Sequence, residues 1–233
     1  MSLLLRLFFA HILADFFFQT KWMVVGKCAS GFRRWAILAL HCLIHAVVAY
    51  LVVAQVELWQ IPVVVFLTHF VIDAAKCSLP NDKPSVFLLD QVAHLVVIVA
   101  LWLGLSPVSI GGIVAGIADC LPANIWALLI AYALVLRPAS ILMSLLLKKW
   151  TVADAAADSL PEAGKWIGYL ERIMILTFIV TDNIIGVGFL LAAKSIFRFG
   201  DLNKAKDIKT TEYVMIGTML SFAIAITLGL IVK

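Results

Sequence analysis

Apolar runs of similar length recur along this chain, at roughly 2–22, 35–56, 61–77, 85–106 and 124–147. A helix needs about 20 predominantly apolar residues to cross the hydrocarbon core of a bilayer, and each run is near that length. Composition points the same way. The chain is 64% hydrophobic and 14% charged, with a mean hydropathy of +1.07, whereas soluble domains average about 45–50% apolar and about 25% charged. A soluble domain is excluded. The expected fold is all-α, a polytopic transmembrane helical bundle of about six or seven membrane segments. It forms a single integral membrane domain over 1–233, with a four-helix half at 1–106 and a second half at 107–233.

The opening stretch, MSLLLRLFFAHILADFFFQTKW, looks like a secretion signal at first. His11 and Asp15 interrupt its apolar run, however, and no small-residue cleavage site follows, so it is expected to be a retained first helix. The stretch 107–123 is rich in glycine and proline and reads as a loop or half-buried segment, and 150–165 is polar and expected to be exposed. The four cysteines, Cys28, Cys42, Cys77 and Cys120, form no CxxC pair and read as small packing residues rather than a disulfide framework or zinc ribbon. The net charge of +4 comes with no basic run of the kind that binds nucleic acid.

Orientation follows from lysine and arginine, which favour the cytoplasmic side. Fourteen of the 18 fall in four clusters: Lys21, Lys27, Arg33 and Arg34; Lys76 and Lys83; Lys148, Lys149 and Lys165; Lys194, Arg198, Lys204, Lys206 and Lys209. Placing all four inside puts the N-terminus outside, in what is expected to be a bacterial inner membrane. Residues 165 and 194 are then on one side, so 166–193 cannot be one straight span. The segment is expected to be a re-entrant hairpin split at Thr181-Asp182-Asn183, since polar backbone at membrane depth must be buried in protein or line a cavity.

All five histidines precede residue 95, an arrangement with a random chance of about one in a hundred. Their spacing says more than their clustering. The first helix carries His11, Asp15 and Gln19, and the second His41 and His45. The third carries His69, Asp73 and Lys76, and the fourth Asp90 and His94, with Gln91 beside them. Residues four apart share a helix face, so each helix presents a stacked pair. Measured from the cytoplasmic ends, all eight histidines and aspartates fall roughly 8–20 Å deep, although neighbouring helices run in opposite directions. Ionisable groups inside a bilayer cost about 2.5–3.5 kcal/mol each on insertion scales, and they mark functional sites by default. Imidazole and carboxylate together suit first-row divalent metals such as zinc, manganese or iron. The set could serve two ions with a shared carboxylate, or one ion with further residues orienting its ligands. A proton- or ion-conducting relay and a purely structural polar network are the alternatives. Lys76 is expected to snorkel to the interface or pair with a phosphate.

In the second half, Glu171 and Arg172 are adjacent and so point to different faces, each expected to find a partner elsewhere. Lys194 and Arg198 satisfy the positive-inside rule or recognise an anionic headgroup. Arg137, inside an apolar helix and followed by Pro138, is a candidate to face the bundle interior.

HILADFFFQ at 11–19, GYLERI at 168–173 and AAKSIFRF at 192–199 resemble a bacterial family of small membrane proteins defined only as a domain of unknown function. The resemblance implies no activity. More loosely, the His/Asp pairs are similar in residue type to those of inner-membrane metal-dependent hydrolases. The first four helices contain no glutamate, so Asp15 or Asp90 would be the general base. The expected function is a membrane-embedded metal-dependent hydrolase acting on a lipid or lipid-linked phosphate. Its one or two metal ions are held by His11, His41, His45, His69, Asp73 and His94, and its catalytic carboxylates are Asp15 and Asp90. Substrate is expected to contact Gln19, Lys76, Arg172, Lys194 and Arg198. The alternatives are a metal or proton-coupled transporter using the same residues, and a non-enzymatic sensor or assembly subunit.

Overall fold

The computed structural model describes residues 2–79, 83–106, 125–150, 162–199 and 207–233. The expected loop at 107–123, Cys120 and most of the polar stretch 150–165 lie outside them. The described residues are helical, with no strand among them. In chain order the helices are α1 (Ser2–Ile12), α2 (Lys21–Gly26), α3 (Phe32–Val53), α4 (Gln60–Lys76), α5 (Pro84–Leu105), α6 (Ile125–Val135), α7 (Arg137–Leu147), α8 (Ala163–Val180), α9 (Ile184–Phe199) and α10 (Asp207–Val232). Among the described residues five segments are long and apolar enough to cross a membrane: Phe32–Val53, Val56–Lys76, Pro84–Leu105, Ile125–Trp150 and Thr211–Val232. The chain is thus an all-α polytopic bundle. It divides into two compact units, Met1–Cys120 with Asn124–Ile130, and Leu121–Ala123 with Ala131–Lys233.

In the first unit α1 packs on α3 and α5, and α4 packs on the same two helices, closing a four-helix bundle. Its polarity is reversed relative to a water-soluble bundle. Leu40, Leu43, Val47 and Leu51 form the outward stripe of α3, each at least 44% exposed, while His41 and His45 are buried. Apolar side chains outside and polar ones inside suit a lipid solvent, where an imidazole facing hydrocarbon would have no partner. The interior has two layers. At the end where α3 closes, Leu4, Leu7, Val53, Ile61, Ile98 and Trp102 make a close-packed apolar plug. The other end carries the histidines and carboxylates. Arg6, near the plugged end, donates from Nη1 to the Val53 carbonyl at 2.8 Å, satisfying an acceptor that the end of α3 leaves free.

Past Ile12 the first helix widens into a π-helical segment, Leu13–Phe18, which ends with the Gln19 amide bonded to the Ala14 carbonyl five residues back. Asp15 lies within that segment. The α2 segment and the turn after it then lead back to α3 through Gly31, whose φ of +83° is one that glycine adopts without strain. Cys28 in that turn is bonded to Cys77 at the end of α4. This corrects the expectation that the cysteines are packing residues. The pair lies 49 residues apart in two loops of one unit, a proximity that no local motif encodes; Cys42 is buried and unbonded, as expected.

In the second unit α8 and α9 form a helical hairpin that turns at Thr181–Asn183, where Asp182 takes φ +61°. The break falls where the charge pattern puts it. A second break was not anticipated. The run 124–147 reads as one span, yet α6 and α7 are separated at Leu136 (φ −83°, ψ −110°), because Pro138 supplies no amide and crowds the preceding turn. Arg137 is exposed at this break rather than facing the interior.

Candidate metal centre

The π-helical turn brings the Asp15 carboxylate to three imidazoles. Its Oδ1 lies 3.2 Å from His45 Nε2, 3.3 Å from His41 Nε2 and 3.8 Å from His69 Nε2. His41 Nε2 and His69 Nε2 are themselves 3.3 Å apart. His41 Nε2 also has Asp73 Oδ2 at 3.3 Å and Gln19 Nε2 at 3.0 Å. One ring nitrogen makes one hydrogen bond, as donor or acceptor. Four polar neighbours around His41 Nε2 exceed what any tautomer can satisfy.

A metal's ligand shell has comparable dimensions. With Zn–N and Zn–O near 2.0–2.1 Å, the edges of a tetrahedron are about 3.3–3.4 Å. Asp15 to His45, Asp15 to His41 and His41 to His69 are 3.2–3.3 Å apart, and Asp15 to His69 is 3.8 Å. The four groups are within 4.8 Å of one another, and the residues present fit a four-coordinate first-row metal. His11, His69 and His94 form a second such group, as do Asp15, Asp90 and His94.

Charge separates Asp15 from the other two carboxylates. Asp73 Oδ2 receives Lys27 Nζ at 2.5 Å, and Asp90 Oδ2 receives Lys76 Nζ at 2.5 Å. Among the described residues Asp15 has no lysine on it; besides the imidazoles it takes the Gln91 amide on Oδ2 at 3.1 Å. Gln91 also donates to Asp90 Oδ2 at 3.1 Å, and its Oε1 lies 3.3 Å from His11 Nε2, so one side chain ties together His11 and both candidate catalytic carboxylates. On the inner side Asp90 Oδ1 and His94 Nε2 are buried, and neither has a hydrogen-bond partner among the described residues. They lie 3.5 Å apart, with Asp73 Oδ1 3.7 Å from His94 Nε2. Where the polar layer meets the plug, a cavity of about 30 Å³ touches His11, His45, His69 and His94, space for about one water molecule.

The structure therefore brings together all eight histidines and aspartates marked in the sequence, with Gln19 and Lys76. Lys76, its side chain 21% exposed, pairs with Asp90. Lys27 is the residue that the sequence did not mark: grouped there with surface cations, it is 4% exposed. Arg172 and Lys194 are in the other unit with partners of their own. Lys194 pairs with Glu171 at 2.6 Å, and Arg172 bonds the Val135 carbonyl, Ser140 Oγ at 2.7 Å and Ser221 Oγ at 3.2 Å. Arg198 is in the last turn of α9, with its side chain outside the described residues.

Residues 3–112 match the family described as "Protein of unknown function (DUF3307)". The DUF3307 match spans α1 to α5 and so contains every residue of the polar cluster. It ends before GYLERI and AAKSIFRF. No curated protein matches the chain, and no solved structure does.

Proposed function

We propose that this protein is a membrane-embedded metal-dependent hydrolase acting on a lipid or lipid-linked phosphate. The observation that carries the reading is Asp15: a carboxylate only 8% exposed, with no lysine on it among the described residues, and with two imidazole nitrogens at metal-ligand spacing and a third at 3.8 Å. A buried carboxylate is costly unless paired, and a divalent ion supplies the missing charge. When bound, such an ion contributes Lewis acidity and lowers the pKa of a bound water. Asp15, His41, His45 and His69 hold it, and the Gln19 amide, 3.0 Å from His41 Nε2, lies beside the nitrogen that takes the ion. With Asp15 serving as ligand, the proton falls to Asp90, whose Oδ1 is unpartnered and whose Oδ2 is held by Lys76 and Gln91.

A transporter built on the same residues is disfavoured by the plug. Ions leaving the polar layer would have to pass Val53, Ile61 and Trp102, none more than 1% exposed. One-sided access suits an enzyme whose anionic substrate comes from the lysine-rich end.

The test is metal content after purification in mild detergent, beside a His41→Ala/His45→Ala double variant. About one equivalent of zinc, manganese or iron in the parent protein, lost in the variant, is the expected result. Release of phosphate from lipid phosphates, abolished in Asp90→Asn at unchanged metal content, is expected alongside it. Absence of metal from both proteins after reconstitution would sink the reading.

A further inference from the structure

The two lysines of the polar cluster share a feature that the proposed chemistry does not use. Each is followed directly by a cysteine, Lys27-Cys28 and Lys76-Cys77, and those two cysteines are bonded to each other. The bond therefore joins the backbone positions next to both cations that neutralise Asp73 and Asp90. The Cys77 sulfur also lies 3.4 Å from the Lys27 carbonyl.

The two lysines are held differently. Lys76 is in α4 and is positioned by that helix whatever the state of the sulfurs. Lys27 is in the turn after the six-residue α2. The α2 helix packs on α3 with Met23 buried and Thr20 as its cap, while toward α4 the covalent tie of this turn is the disulfide. Both cysteines are only half-buried, within reach of a thiol reagent. Six of the first unit's described lysines and arginines also lie at this end, the pattern of a cytoplasmic face. Disulfides on that side of a membrane are usually transient, and catalytic or redox-sensing.

We infer that Cys28 and Cys77 form a reducible clamp that holds the Lys27 ammonium on Asp73, and that reduction frees the Asp73 carboxylate for a cation. The reductant is a dithiol. It attacks one sulfur of the pair through a mixed disulfide, leaves as its own cyclic disulfide, and delivers two electrons and two protons to give two cysteine thiols. Lys27 then withdraws with its turn. Asp73 Oδ2, 3.3 Å from His41 Nε2, loses its competing positive charge beside the metal ligands. The second step rests on the metal centre proposed above; the first does not.

The experiment keeps the two apart. Metal-free protein in detergent, oxidised or reduced with a dithiol, is treated with a water-soluble acylating reagent, and acylation of Lys27 is read by mass spectrometry. Protection when oxidised and modification when reduced is the expected result. Equal modification in both states overturns the clamp. Zinc is then titrated against both forms and against Lys27→Met, which removes the cation and leaves the sulfurs intact. Affinity should rise on the order of tenfold on reduction, within the usual range of coupling between sites, and Lys27→Met should bind at the higher affinity in either state. Equal zinc affinity of the oxidised and reduced forms overturns the coupling. If no form binds zinc, the metal centre itself falls, while the acylation result still decides the clamp.

Discussion

Among residues, the contrast among three aspartates is the most informative feature of the cluster. Asp73 and Asp90 each have an ammonium at 2.5 Å, and Asp15 has none. Replacing Asp15 with asparagine keeps its shape and removes its charge. Metal content should therefore fall at least tenfold, about 1.4 kcal/mol of binding or more. The metal-free protein should melt at the same temperature as the parent or higher, because an uncompensated buried charge has gone. Metal analysis and a thermal melt with chelator present check both halves; a large drop in the metal-free melting temperature would instead make Asp15 a structural residue. The candidate ligands were legible in the sequence because each helix repeats its polar residue after four positions, and few other reasons exist to bury a histidine in lipid. Lys27 was not legible. A lysine among Lys21, Arg33 and Arg34 looks like any loop cation, and only the return of the turn over α4 shows that it points inward.

Helices and their breaks were legible to different degrees. Apolar runs mark where spans lie, since each helix must match bilayer thickness. The run at 2–22, however, is divided into α1, the π-helical turn and α2 and is not among the five spanning segments of the described residues. The turn at Thr181–Asn183 followed from three polar residues in an apolar stretch. The π-helical Leu13–Phe18 leaves the hydrophobic pattern untouched and so was invisible, whereas the break at Leu136 had its signal in Pro138, which the unbroken apolar run outweighed. The second break has an identifiable partner. Arg172 is 2% exposed and carries no carboxylate; its guanidinium instead takes the Val135 and Leu136 carbonyls at the break together with Ser140 and Ser221. Its planar fork of five donors is what reaches them all. Arg172→Lys keeps the charge and loses the fork, leaving at least two buried acceptors unsatisfied at about 1–3 kcal/mol each. We expect a destabilisation of about 2–4 kcal/mol, read as a fall in melting temperature in detergent, with metal content unchanged. A melting temperature equal to the parent's would mean that charge alone, and not the fork, serves the break.

For the molecule as a membrane protein, orientation and redox state are one question. In the first unit Lys21, Arg33 and Lys83 are exposed and Arg34 is half-buried at the end that carries the polar layer. Lys27 and Lys76 at that end are neutralised by carboxylates and add little to the bias. Arg6, near the plugged end, is held against the Val53 carbonyl and the Trp126 ring. The exposed Lys21, Arg33 and Lys83, with Arg34 on the Ala74 carbonyl and the Trp35 ring, outnumber the one engaged cation at the plugged end, so the positive-inside rule makes a cytoplasmic polar end the expectation. The expected result is specific. With all four native cysteines replaced by serine, a cysteine at Ser30 should react with a membrane-impermeant maleimide only after cells are opened, and one at Trp59 should react in intact cells. The same orientation puts Cys28 and Cys77 in a reducing compartment. In intact cells with the native sequence, acid-quenched alkylation should then trap both as thiols, and the bond should form on purification in air. The reverse labelling pattern would place the candidate metal centre on the outer side and make the disulfide a permanent tie. Its 49-residue separation would then be worth up to about 4 kcal/mol by loop entropy, and Lys27 would stay on Asp73 for the life of the protein.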